Sequence, residues 1–268
     1  MKLIELSPIQ EEVKHYIERY QLYVIDEPSF FKTIPNFRLE CWLLIDGGFQ
    51  ILDTENNTFI EAKKLGGYPA TNHSLLFRMN SMKALNIKFK PSVLAYDAFG
   101  KLYPPRIDFD LAELLPQKVL ETFKSLSFDN EKLDVGKLDQ WIYPLFQILK
   151  KNDEVETFLD AIMRSGANIY EVTEQLGISS KTLERRIKKH FGLTPKKLLN
   201  IIRFNDSTAH MKSKSTNKLM DVLAFGYYDQ SHFIRECKRI TGLTPTQLFN
   251  KLEFSTNDLI VFNEENQV

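Results

Sequence analysis

Two arginines stand 50 residues apart in closely similar surroundings. Arg185 lies in Ser180-Lys181-Thr182-Leu183-Glu184-Arg185-Arg186-Ile187-Lys188-Lys189, and Arg235 takes its place in Gln230-Ser231-His232-Phe233-Ile234-Arg235-Glu236-Cys237-Lys238. A guanidinium presents a planar fork of N–H donors that matches the O6 and N7 edge of guanine, whereas an ammonium group is a point charge suited to phosphate. Arg185 is the best candidate for guanine, and Lys188 and Lys189 suit phosphates. Around them Ser180, Lys181, Thr182 and Glu184 in the first stretch, and Gln230, Ser231, Ile234 and Lys238 in the second, supply the polar and small apolar groups that a helix lying in a DNA groove turns outward. His232 reads as a packing or phosphate contact, because no metal partners surround it.

The elements that must hold these side chains are legible as well. Ile169, Val172 and Leu176 put apolar groups on one face of a short helix, and Gly177 permits a sharp turn into a second helix capped by Ser179 or Ser180. In that second helix Leu183 and Ile187 face inward; Phe233 and Cys237 replace them in the second copy, after Gly226-Tyr227-Tyr228-Asp229. Each copy closes on Gly-Leu-Thr-Pro, at 192–195 and 242–245. Between them Leu198, Leu199, Ile202 and Phe204 predict a linker helix from Pro195 to Met211, about 25 Å long at 1.5 Å per residue. That length suits two helices held near successive major-groove segments, which recur at about 34 Å. A solenoid would need at least three or so stacked units, so two copies point to a pseudo-twofold domain.

Composition agrees once it is divided. The 268 residues carry no net charge overall. Residues 165–252 nevertheless hold 15 Lys and Arg against 7 Asp and Glu, leaving 20 against 28 elsewhere. A basic binding module attached to an acidic partner domain is the reading that follows. At 43% hydrophobic and 26% charged the chain is of ordinary globular composition, with no apolar run near the roughly 20 residues of a membrane span. Two cysteines, Cys41 and Cys237, imply no disulfide framework, and a cytoplasmic location fits.

The rest of the chain divides three ways. Ile9, Val13, Tyr16, Ile17 and Tyr20 are spaced as on an early amphipathic helix. Short apolar runs follow at Leu22–Ile25, Leu39–Ile45, Phe49–Leu52, Leu75–Phe77 and Leu85–Phe89. Pro35-Asn36, Asp46-Gly47-Gly48, Glu55-Asn56-Asn57 and Gly66-Gly67 separate them, so residues 1–109 read as a small β-barrel or sandwich. Asp46-Gly47-Gly48 is the expected hairpin turn. Trp42, Phe49, Phe59, Tyr68, Phe77, Phe89 and Tyr96 could line a ligand cavity; filling of the core by these aromatics is the favoured reading, since narrow barrels are commonly filled by their own side chains. His15 and His73 are isolated, so no metal set is visible. Residues 110–164 return to helical spacing through Leu111, Leu114, Leu115, Val119, Leu120, Phe123, Leu138, Trp141, Ile142, Leu145, Phe146, Leu149, Val155, Leu159 and Ile162. Gly166 and Asn168 mark the stop and start before the module at 165–252, and 253–268 reads as a tail.

At these residues a family resemblance becomes specific. Gly226-Tyr227-Tyr228-Asp229-Gln230-Ser231-His232-Phe233-Ile234-Arg235-Glu236 with Gly242-Leu243-Thr244-Pro245, and Leu183-Glu184-Arg185-Arg186 with Arg203-Phe204, resemble the DNA-binding domain of the AraC/XylS transcriptional regulators. The similar segment runs from about Asn168 to Lys251. The resemblance implies two helix-turn-helix units on one linker helix, with Lys181, Glu184, Arg185, Gln230, Ser231, Ile234 and Arg235 facing DNA. It also implies activation as the commoner outcome, double-stranded operator DNA as partner, and RNA polymerase as a further partner of an activator. Thr173 and Val222 depart from it, standing four before each turn glycine where a small residue is usual. Pro8–Tyr20 and Leu85–Pro91 are more weakly similar to the cupin-like domain of some bacterial regulators.

The expectation is therefore an α+β protein: a cupin-like β-domain for sensing or dimerisation, open to a small-molecule effector and to pairing with a second copy, followed by an all-α double helix-turn-helix. No cofactor is called for. The alternative is an enzyme carrying the same DNA module, either a metal cupin or a DNA-alkyl transfer protein. The first lacks clustered His and carboxylate ligands, and the second would need an activated thiol at Cys41, whose neighbours are Glu40 and Trp42.

Overall fold

The computed structural model describes residues 2–53, 56–68, 74–100, 110–113, 133–165, 169–213, 219–251 and 259–262, with Gln117 and Glu121. Its strands in chain order are β1 (Lys2–Leu6), β2 (Ile17–Ile25), β3 (Ser29–Thr33), β4 (Glu40–Asp53), β5 (Thr58–Glu61), β6 (Leu65–Tyr68), β7 (Leu76–Phe89) and β8 (Leu259–Phe262). The helices used below are α1 (Asp97–Gly100), α2 (Val135–Ile148), α3 (Asp153–Ser165), α4 (Ile169–Leu176), α5 (Ser180–Phe191), α6 (Pro195–Ser213), α7 (Gln230–Thr241) and α8 (Pro245–Lys251). The chain falls into two units, one of Met1–Pro28, Arg38–Pro69 and Met79–Asp160, the other of Ser29–Phe37, Ala70–Arg78 and Ala161–Val268. An N-terminal antiparallel sheet and a C-terminal helical region make the fold α+β.

In the first unit β1 pairs with β2 and β2 with β7, while β4 pairs with β5, β6 and β7. From Tyr20 to Tyr23, β2 is buried on both of its faces. One face puts Tyr20 and Leu22 opposite Ile87 and Leu85. The other carries Gln21 opposite Asn86, and a buried polar group must find a partner or lose the hydrogen bonds water gave it. Asn86 Nδ2 donates to Gln21 Oε1 at 3.1 Å and to Glu40 Oε2 at 2.9 Å, Gln21 Nε2 donates to Glu5 Oε1 at 2.7 Å, and Lys88 Nζ lies 3.7 Å from Glu40 Oε1. The interior of this sheet is therefore filled by side chains that satisfy one another. Trp42, Phe49, Phe77, Phe89 and Tyr96 are buried, whereas Phe59 and Tyr68 are half-buried.

Helices cover the apolar side. Tyr16 stacks on Phe146 of α2 with centroids 4.0 Å apart. Asp139, fully buried in the same helix, accepts from the Ile9 and Gln10 amides at 2.7 and 2.8 Å and from the Tyr20 hydroxyl at 2.7 Å. Burial and this carboxylate push the Tyr20 phenol far up from its ordinary value.

Several expectations change here. The early helix is absent: residues 2–25 form strand, 3₁₀ turn and strand, and the three-and-four spacing reflects Val13 in the turn and Ile17 and Tyr20 in β2. Asp46-Gly47-Gly48 is no hairpin turn but lies inside the fourteen-residue β4. Gly47 has φ +66°, and a Cβ on it would fall 2.1 Å from the Ser81 carbonyl oxygen, so glycine serves a close backbone approach. Gly66 and Gly67 likewise lie in β6, where a Cβ on Gly66 would strike the Trp42 ring at 2.5 Å. The runs 39–45 and 49–52 are one strand apart from Leu39, as are 75–77 and 85–89 apart from Leu75. The helical spacing near 138–162 is real, forming α2 and α3. Leu114, Leu115, Val119, Leu120, Phe123, Gly166, Asn168 and His73 lie outside the described residues.

The second unit is mainly helical over its described residues 169–213 and 219–251, but not only helical. β3 pairs antiparallel with β8, Phe31 opposite Val261, and Thr33 exchanges hydrogen bonds with Leu75. Pro35-Asn36, which reads as a turn signal between apolar runs, is buried.

Candidate nucleic-acid interface

The repeated motif is a set of start and stop signals. At Gly177 (φ +62°) the chain turns through a backbone conformation that glycine adopts without strain; a Cβ there would meet nothing, so the requirement is conformational rather than one of space. Ser179 then caps α5, its Oγ accepting from the Thr182 amide at 3.2 Å. The helix buries Leu183, Ile187 and Phe191 and ends at Gly192 in the left-handed conformation. Leu193 is buried, Thr194 accepts from the Lys197 amide at 3.3 Å, and Pro195 opens α6, where its missing N–H costs nothing. Gly-Leu-Thr-Pro is thus a C-cap, an apolar anchor, an N-cap and a first helical residue in succession.

The second copy repeats the design with different parts. Gly226 (φ +78°) makes the turn, Asp229 caps α7 by accepting from the His232 amide at 2.6 Å, and Gly242 (φ +79°) ends it. Thr244 and Gln247 cap α8 reciprocally, at 3.0 and 3.4 Å. Its first helix, Leu219–Phe225, is 3₁₀ where the first copy has the α-helix α4. Val222 there is fully buried, and Thr173 in α4 is buried with its hydroxyl bonded to the Tyr170 carbonyl.

Both recognition helices are twelve residues long, and Arg185 and Arg235 are each the sixth residue. Neither is buried: Ser180, Lys181, Glu184, Arg185, Lys188, Lys189, Ser231, Arg235 and Lys238 are exposed, and Thr182, Gln230, His232 and Ile234 are half-exposed. Ser179, Lys181, Thr182, Glu184, Arg185 and Lys188 border one shallow concavity. Lysines in the last turn of α5 and of α7 also complement the partial negative charge of a helix C-terminus. His232 is engaged in the fold, its Nδ1 accepting from the Tyr228 amide at 3.4 Å and its ring set edge-on to Tyr227. The thirteen residues that read as candidates therefore all reach the surface, with His232 doing so as a packed group.

Two features escaped the sequence reading. Arg203 of α6 donates to Glu236 Oε2 at 3.2 Å and Asn200 Oδ1 at 3.0 Å and lies over the Tyr227 ring at 4.6 Å, tying the linker helix to the second recognition helix. Glu236 is buried on the side of α7 away from solvent; its position between Arg235 and Cys237 gave no hint of which face it takes. The second is Tyr228, 90% exposed one residue before the α7 cap.

Both cysteines are buried. Burial pushes the Cys237 thiol up to about 11, and burial with the Glu40 charge raises Cys41 further, so both stay protonated and poorly nucleophilic near neutrality. Among the described residues no three His, Cys, Asp or Glu side chains gather where they could hold a metal ion, and no helix is long and apolar enough to cross a membrane.

Residues 172–251 match the family model described as a helix-turn-helix domain. No curated protein matches the chain. Among solved structures the chain is similar to ToxT from Vibrio cholerae, at 12% identity and a TM-score of 0.54 over 88% of this chain and 98% of that one. ToxT from strain SCE256 with an unsaturated fatty acid bound superposes with a TM-score of 0.50 at 11% identity, over 86% and 94% of the two chains. At such identities the likeness is one of fold. The motif residues and the matched model together make residues 172–251 a helix-turn-helix domain, carried on a chain whose fold is similar to that of ToxT.

Proposed function

We propose that the chain is a sequence-specific transcription activator that acts in the cytoplasm, on the nucleoid, and reads an operator through both recognition helices. The observation that carries this is the matched placement of Arg185 and Arg235, exposed at the same point of two identically bounded helices. Each guanidinium addresses a guanine, and Lys181, Lys188, Lys189 and Lys238 address phosphates on either side. Glu184, Gln230, Ser231 and Ile234 complete the contacts to base edges, with Ser180 and Thr182 beside them. Tyr228 adds a phenol to the backbone contacts ahead of α7, a role tyrosine hydroxyls take on DNA. The first unit serves as the sensing half. An amphiphilic carboxylic acid is the effector class, on the strength of the fold shared with fatty-acid-bound ToxT. Pairing of two copies and contact with RNA polymerase complete the assembly.

Arg185→Ala is expected to lose about 1–3 kcal/mol on a duplex selected by the wild-type chain and to relax preference at one base position. Competition binding against single-base variants of that duplex measures both. An equal loss on unrelated DNA would reduce Arg185 to a phosphate contact.

A further inference from the structure

Nine residues from the N-terminal third of the chain, Ser29–Phe37, belong to the unit that holds both recognition helices. They lie far outside the stretch 172–251 that matches the helix-turn-helix family. Ile34, 0% exposed, sits in one apolar core with Phe204 of α6, Val222, and Phe233 and Cys237 of α7. Three residues on, the Phe37 ring packs edge-on against Phe191, the last residue of α5, at 5.2 Å between centroids. Between these, the Pro35 carbonyl accepts from Asn205 Nδ2 of α6 at 2.9 Å. One short segment therefore touches the first recognition helix and the linker helix and shares the apolar core of the second recognition helix. It is itself held by β8, paired with β3 along Phe30–Thr33, and by Leu75.

We propose that Ser29–Phe37 is a positioning strap that sets the separation and angle of α5 and α7, so that one chain can engage two groove segments at once. Two reading heads on one scaffold gain from each other only while the scaffold permits both contacts together, and that gain disappears when the geometry drifts. Without the strap the register of the heads rests on α6 and on the Arg203–Glu236 tie. Preorganisation by Ile34 and Phe37 removes the ordering cost that DNA binding would otherwise bear. None of these strap residues contacts DNA in this scheme; they act through α5, α6 and α7. The inference rests on the reading that both helices engage DNA.

The test uses the full chain and three duplexes: one selected from a random pool by the wild-type protein, and the same duplex with either half scrambled. Ile34→Ala and Phe37→Ala should weaken binding to the intact duplex about tenfold, while binding to each half-scrambled duplex stays within about twofold of wild type. Ile34→Val should restore the intact-duplex affinity. Asn205→Ala, which removes only side-chain hydrogen bonds to the Pro35 and Ile201 carbonyls, should act in the same direction if the core variants fold poorly. Equal weakening on all three duplexes, or wild-type binding by every variant, would overturn the strap. A wild-type chain that selects no sequence at all sinks the underlying reading of α5 and α7, a different result from variants that bind like wild type.

Discussion

Raising monovalent salt from about 50 to about 200 mM is expected to weaken binding of the full chain to its selected duplex roughly 150-fold. Four exposed lysines on the recognition helices, Lys181, Lys188, Lys189 and Lys238, are assigned to phosphates. Each phosphate neutralised on B-DNA releases close to one condensed counterion, so four contacts give a slope of about −3.6 in log K against log salt. A fourfold change in salt then produces the stated loss. Arg185 and Arg235, assigned to bases, add little to this slope, and Glu184 opposes it slightly. The effect is large although the chain as a whole is neutral, because the positive charge is gathered at 165–252. Titration of a labelled duplex at five or six salt concentrations gives the slope directly. A flat line would remove the electrostatic half of the assignment, and a slope near −8 would mean that many more cations reach the backbone than these four.

The other large effect concerns the first unit. Asp139→Ala should destabilise it by about 3–5 kcal/mol, read as a fall in denaturant midpoint. The carboxylate is fully buried and gathers three donors from two other places in the chain, two half-buried amides and the buried Tyr20 hydroxyl. Removing it strands the hydroxyl without water and leaves the turn after β1 untied from α2. Asp139→Asn should recover little, since an amide brings two donors to a place where three already converge. Tyr20→Phe should cost less than either, because it removes one donor and leaves the two amide bonds intact. An Asn variant as stable as wild type would show that packing, not acceptor capacity, is what Asp139 supplies.

The two helix-turn-helix units were legible because their signals are local. A glycine that must turn, a Ser or Asp that must cap, and an inward pair such as Leu183 and Ile187 each act within four residues, so the pattern can be read without knowing what surrounds it. The N-terminal unit was less legible for the opposite reason. Gly47 looks like a turn until the backbone of β7 is known to pass beside it, and Val13, Ile17 and Tyr20 look helical until Asp139, more than a hundred residues away, is seen to hold that segment. The strap is the extreme case: Ile34-Pro35-Asn36 carries turn-forming residues, yet its burial is decided by Phe204 and Phe233. Burial of Glu236 is non-local in the same way, since its partner Arg203 comes from the linker helix.

The central claim is that two helices of one chain read two segments of one duplex. Selection of preferred sequences from a random DNA pool by the wild-type chain, by Arg185→Ala and by Arg235→Ala tests it most directly. The wild-type site is expected to contain two informative segments about one helical turn, roughly 10 base pairs, apart, with each variant losing a guanine preference in a different segment. Two variants that lose the same position, or a wild-type site with a single informative segment, would contradict the account.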